Sequence, residues 1–194
     1  MTGRALYDVD APDALAHWLA QHPHVVMLAG SSQLDSYLDT GTGALLQQGQ
    51  ILRIRRRDSS TAAMLRDLAS DSTIVEDARD GCLPEGGTID SLVRALADRE
   101  RIGTVRTVLT RRRRFVLLAR RDWETEITLD ASDVTAHGTI PARYWTCEVV
   151  ALRSRPVDPV FLDRIEHIGE LRADALEPWQ RGLGRRSRDH LMRV

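Results

Sequence analysis

A strand with arginines on one face and aliphatic side chains on the other can be satisfied in few ways, and residues 51–57, Ile-Leu-Arg-Ile-Arg-Arg-Arg, read as such a strand. Alternation sends Ile51, Arg53, Arg55 and Arg57 to one side and Leu52, Ile54 and Arg56 to the other. The apolar side requires a core. The arginine side suits either acids on a neighbouring strand or a bound polyanion, because each guanidinium fork can hold carboxylate or phosphate oxygens bidentately. The preceding stretch fixes how the chain enters this strand. Tyr37-Leu38 ends a strand, Asp39–Gly43 makes a turn, Leu45 and Leu46 form one helical turn, and Gly49 stops it.

The rest of the chain repeats this punctuation. Residues 3–9 predict a first strand, followed by a helix over Asp13–Gln21 with Asp10 as N-cap and Leu15, Trp18 and Leu19 inward. Val25–Leu28 and Gln33–Leu38 read as two strands, or as one strand with a break at Gly30-Ser-Ser. Ala62–Asp67 and Thr73–Ala78 predict a hairpin. A helix then runs from Thr88 or Asp90 to about Glu100, with Leu92, Val93 and Leu96 inward. Residues 104–121 carry the strongest β signal, followed by strands over Trp123–Leu129 and Tyr144–Leu152, with a loop between them at Asp133–Pro141. Pro159–Leu176 reads as a helix built on Phe161, Ile165, Ile168 and Leu171, and Ser187–Met192 as a short terminal turn. About eight strands in adjacent runs, with two to four helices, predict an α+β fold with an antiparallel sheet or barrel and helices outside. Periodicity does not separate a barrel from a sandwich.

Composition narrows the function classes. The 194 residues suit one domain with a sizeable core, and 27 basic against 28 acidic residues leave no global field for nucleic acid or an anionic membrane. Arg111, Arg112, Arg113 and Arg114 form a basic run, but a strand divides them two and two between its faces, which disfavours a nucleic-acid patch. All the basic residues counted are Arg, so lysine chemistry is excluded. Cys82 and Cys147 lack metal-type spacing and read as free thiols in a reducing cytoplasm. His22 and His24 flank Pro23 in a loop and read as solvated. The apolar run Val25–Ala29 is far too short to cross a bilayer, and no signal peptide precedes it.

Tyr37-Leu38-Asp39-Thr40, Leu45-Leu46 and Leu52-Arg53-Ile54-Arg55 occur in the order and spacing of the second and third strands of the CYTH superfamily, which this chain resembles. That superfamily comprises the triphosphate tunnel enzymes: thiamine-triphosphatases, tripolyphosphatases and class IV adenylyl cyclases. The resemblance implies an antiparallel eight-stranded closed barrel with helices packed outside, in one domain over 1–194. The barrel would span about 1–152 and a C-terminal helical segment about 158–194. It further implies phosphate-binding roles for Arg53 and Arg55, for Arg66, and for one of Arg111 and Arg112. Since Arg106, Arg112 and Arg114 share a face, Arg112 is the favoured member.

The family's metal site is depleted in this sequence. Its N-terminal Glu-x-Glu-x-Lys falls on Thr2, Arg4 and Leu6, and Arg4 would set a cation where a metal ligand belongs. On the last strand Glu148 matches the first carboxylate of a Glu-x-Glu, while Val150 takes the place of the second. Asp130, on one face with Glu124 and Glu126, and Glu76 are further candidates for a Mg²⁺ or Mn²⁺ ion. Glu148 reads equally as a metal ligand and as the ion-pair partner of an arginine. The expectation is a cytoplasmic, arginine-lined tunnel protein that binds a triphosphate- or polyphosphate-type anion with reduced or lost catalytic power. The alternatives are a Mg²⁺- or Mn²⁺-dependent tripolyphosphatase or organic triphosphatase, and a non-catalytic scaffold for protein partners.

Overall fold

Alternating burial along nearly every strand shows that each β segment presents one face to an apolar core, as the sequence periodicity requires. The computed structural model describes residues 4–79, 81–119, 123–136, 140–152 and 157–173, with the side chains of 119, 123 and 124 excepted. Thr2, the Glu124 side chain and the expected helical residues beyond 173 lie outside the described residues. The strands are β1 (Arg4–Val9), β2 (Val25–Asp39), β3 (Gln50–Arg57), β4 (Ser60–Asp67), β5 (Thr73–Asp77), β6 (Gly103–Ala119), β7 (Trp123–Ala136), β8 (Ala142–Ala151) and β9 (Leu171–Ala173). The helices are α1 (Pro12–Gln21), α2 (Ala44–Gln47), α3 (Thr88–Leu96) and α4 (Pro159–Gly169).

The described strands hydrogen-bond in the order β5-β4-β3-β2-β6-β7-β8-β1-β9. The β1–β8, β1–β9, β2–β3, β3–β4 and β4–β5 pairs are antiparallel. This is the expected α+β fold with a mostly antiparallel sheet. The order has two ends, so hydrogen bonds do not close the sheet.

Contacts divide the chain into two compact units. In the first (of the described residues, 4–31, 110–119, 123–133, 143–152 and 157–173), α1 and α4 cover one sheet face. The core there joins Leu15 and Leu19 of α1, Phe161 and Ile165 of α4, and Phe115, Leu117, Ile127, Leu129, Cys147 and Val149 of the strands. In the second (of the described residues, 32–79, 81–109, 134–136 and 140–142), Leu45 of α2 and Ile89 and Val93 of α3 pack on Leu52, Ile54, Ala63 and Leu65. The aliphatic side of β3 is thus buried under helices, and its arginine side is the other face.

Several expected boundaries moved, each for a tertiary reason. β2 passes through Gly30 without a break: a Cβ there would lie 3.1 Å from the Arg112 carbonyl oxygen, so the glycine permits close strand approach. β7 extends to Ala136, through residues expected to form a loop, because Ala131, Ser132 and Val134 are buried. Asp10 does not cap α1. It accepts a hydrogen bond from Arg172, and Ala11 stands at the N-cap with its N–H donated to the Gly169 carbonyl.

α4 ends at Gly169, short of the expected Leu176, because Glu170 turns left-handed (φ 48°) and Leu171–Ala173 pairs with β1 as a strand. Leu92 is 40% exposed, and α3 turns Ile89 inward in its place. His22 packs its ring 5.0 Å from Trp18 and 5.6 Å from Phe161, and burial lowers its pKa from the ordinary value.

Candidate functional site

The Asp-Thr turn before the arginine strand serves the fold. Asp39 Oδ1 accepts from the N–H groups of Thr40 (2.7 Å) and Leu45 (2.9 Å), and Oδ2 from that of Leu46 (3.1 Å). Thr40 Oγ1 accepts from the Ala44 N–H at 2.9 Å. Together these satisfy donors at the start of α2, which has Gly43 left-handed (φ 76°) at its N-cap. Fully buried Leu45 is then pinned over the core. The Asp39–Leu46 stretch accordingly delivers β3 in register, with the Asp39 carboxylate occupied by backbone N–H groups.

In the second unit, β3 register opposes Arg53 to Tyr37 and Met64, and Arg55 to Asp35 and Ala62. Asp35 is 1% exposed, and both its oxygens are used. Arg55 donates Nε to Oδ1 at 2.8 Å and Nη2 to Oδ2 at 2.9 Å, and Gln33 Nε2 reaches Oδ2 at 3.3 Å. Arg53 lies beside this pair with looser contacts: Nη1 is 3.7 Å from Asp35 Oδ2 and Nη2 is 3.0 Å from the Met64 sulfur. A thioether is a weak acceptor. The Arg53 side chain is nonetheless only 24% exposed.

Tyr37 is buried below the two guanidiniums. Desolvation raises the pKa of its phenol, and the negative Asp35 raises it further, against the opposing effect of Arg53. Both guanidiniums thus draw on the carboxylate of Asp35. Asp35 was not anticipated from sequence, although its two-residue offset from Tyr37 places both on the face that meets Arg53 and Arg55.

Arg66 shares the Arg53 face, opposite Ile51 on β3, but its guanidinium is taken by exposed Asp71 at 2.7 Å. Glu76 lies on the other face. It is the strand partner of buried Ala63, and its Oε1 accepts from the Thr88 N–H (2.7 Å) and the Ile89 N–H (3.3 Å) at the start of α3. A Cβ at Gly87 would meet Glu76 Oε2 at 2.5 Å, so the glycine makes room for the carboxylate. Proposed from sequence as a metal ligand, Glu76 serves here as a helix cap.

In the first unit, Arg111 and Arg112 separate as neighbours on a strand must. Arg112 donates Nε and Nη2 to the two oxygens of Asp130 at 2.9 and 2.6 Å. Two residues on, Arg114 donates Nε to Glu126 at 2.7 Å. Arg111, on the opposite side, meets Asp133 at 2.7 Å, and Asp133 also accepts two bonds from Arg143.

Glu126, Thr128 and Asp130 alternate with core residues Ile127 and Leu129, and Glu148 alternates with Cys147 and Val149. All four therefore occupy the sheet face away from the helices. Glu148 is paired: the Arg4 guanidinium donates Nε to Glu148 Oε1 across the β1–β8 ladder. Hydrogen bonding to Asp130 raises the Arg112 pKa, with Glu148 and Glu126 adding attraction, and the bond from Arg114 holds the Glu126 carboxyl below its ordinary value.

A divalent ion needs carboxylate oxygens free to coordinate it. Here Glu126, Asp130 and Glu148 each hold a guanidinium, and Arg4 occupies the strand position where the family resemblance puts a ligand. Among the described residues, no group of three or more His, Cys, Asp or Glu is arranged to hold a metal. The described residues therefore do not fit the Mg²⁺ or Mn²⁺ that the resemblance implies.

No protein-family model matches the sequence, and no curated protein matches it significantly. Solved structures do match. A proposed adenylate cyclase from Bacillus halodurans aligns over 94% of this chain and 100% of its own, with 14% identity and a TM-score of 0.57. A proposed adenylyl cyclase from Hippeastrum, described as having a dominant triphosphatase activity, aligns over 91% of this chain and 92% of its own. Its identity is 16% and its TM-score 0.56. At such identities the likeness speaks to the fold alone, and this chain shares the fold of those two proteins.

Proposed function

We propose that this chain is a cytoplasmic CYTH-type protein, a single tunnel-type domain, that binds a triphosphate- or polyphosphate-type anion with reduced or absent hydrolysis. The observation that carries the reading is Arg53. Its side chain is only 24% exposed, and its polar contacts are a thioether, the Tyr37 phenol and a carboxylate at 3.7 Å. A charge held by such weak partners is well suited to phosphate oxygens.

Asp35 holds Arg55 rigidly alongside, which lowers the ordering cost of a two-arginine contact. Arg66 extends the same face once Asp71 releases it. Arg111 and Arg112 remain candidates, but each must first leave a carboxylate. A second reading, Mg²⁺- or Mn²⁺-dependent hydrolysis through Glu148 and Asp130, draws on the common face of these carboxylates and on the activity described for the Hippeastrum protein. The arginine pairing disfavours it.

Calorimetric titration with tripolyphosphate tests the proposal. Arg53→Ala and Arg55→Ala should each weaken binding by at least about 1 kcal/mol, roughly fivefold. Unchanged affinity in both removes β3 from the site. Metal-dependent phosphate release from tripolyphosphate, ATP or thiamine triphosphate would favour the second reading.

A further inference from the structure

We infer that the polar face of the first unit is an arginine-neutralised surface in place of a divalent-cation site, and that the protein takes a polyphosphate as the free anion in preference to its magnesium complex. The second half rests on the function proposed above; the first does not.

Glu126, Asp130 and Glu148 contribute three negative charges, and Arg114, Arg112 and Arg4, bonded to them one to one, contribute three positive charges. Each of these three pairs is neutral, so the attraction that draws Mg²⁺ to a carboxylate is weakened at each of them.

Geometry reinforces this. Asp130 presents both oxygens to the Arg112 fork, and Arg112 is a half-buried group with little room to swing away. Mg²⁺ demands near-ideal octahedral coordination and gives up water reluctantly, so it competes poorly for oxygens already held by a matched fork. An ion that did enter would also meet three guanidiniums as like charges.

Arg4 is decisive because it is a substitution of sign. Its side chain, 65% exposed, reaches across the β1–β8 ladder to Glu148, and the third residue of that strand face, Leu6, offers no ligand. At the guanidiniums of Arg53 and Arg55, a magnesium-complexed polyphosphate presents less negative charge than the metal-free anion and is attracted less strongly.

Two measurements on the full chain test this. The first is Mn²⁺ binding without phosphate, read by loss of the free hexaaqua signal in electron paramagnetic resonance. The wild type should leave millimolar Mn²⁺ free. Arg4→Glu, at an exposed position, should gain at least tenfold in Mn²⁺ affinity, and Arg4→Ala should show a smaller gain. Submillimolar Mn²⁺ binding by the wild type, abolished by Glu148→Gln, would overturn the inference. So would failure of both Arg4 variants to gain any affinity while remaining folded by circular dichroism.

The second is tripolyphosphate affinity in EDTA and in excess Mg²⁺, with at least tenfold tighter binding expected in EDTA. Equal or stronger binding with Mg²⁺ overturns the free-anion half. Absence of binding in both conditions overturns the proposed function, while the Mn²⁺ result still decides the cation half.

Discussion

Asp39 carries three backbone hydrogen bonds from a 7% exposed side chain, two of them to the first turn of α2. Asp39→Ala should therefore cost about 2–3 kcal/mol, the size expected for a lost cap together with unsatisfied buried donors. Chemical denaturation would check this, and a loss under half a kcal/mol would mean that α2 does not depend on the cap. The two cysteines make a second contrast at the same scale. Burial pushes the Cys147 thiol up to about 12, with Asp130 and Glu148 adding to the effect, while Cys82 is exposed. A thiolate reagent at neutral pH should label Cys82 and leave Cys147 until the protein unfolds; equal rates would contradict the packing around Cys147. The Asp39 turn was legible in sequence because its partners lie within seven residues. Asp35 was not, since its bond to Arg55 spans 20 residues and depends on β2–β3 register.

At the scale of elements, α3 shows what composition hides about a strand residue. Glu76 has a carboxylate and a strand position, so sequence reasoning made it a metal candidate. β4–β5 register instead sets it opposite Ala63, on the helix-covered face, where α3 presents unsatisfied N–H groups. Glu76→Ala should cost about 1 kcal/mol and destabilise α3, which hydrogen exchange along residues 88–96 would report. Unchanged protection there would remove the capping role. The strand faces fared better. β3 alternates as expected, and β6 divides Arg111 from Arg112, because side-chain alternation depends only on local backbone geometry. The ends of β7 and α4 were misjudged because turn-prone residues such as Asp130, Ser132 and Asp133 are held in strand conformation by strand pairing.

Across the whole molecule, arginine pairing dominates the electrostatics. Hydrogen bonds from Arg114 to Glu126, from Arg94 to Asp90 and from Arg143 to Asp133 lead the causes that hold those carboxyls below their ordinary values. Their contribution to stability is present above the unfolded carboxylate range, near about pH 4, and is lost as pH falls through the depressed folded values. Thermal stability should thus be flat around neutrality and drop below about pH 4, with Glu126→Gln reducing that drop. A drop of equal size in Glu126→Gln would assign the acid sensitivity elsewhere. By itself the sequence determined an α+β chain with arginines on particular strand faces, because alternation, caps and turns act over a few residues. Only the tertiary structure decided which acid meets which arginine. Arg4 and Glu148 stand 144 positions apart, and it is their meeting across the β1–β8 ladder that turns a candidate metal ligand into half of an ion pair.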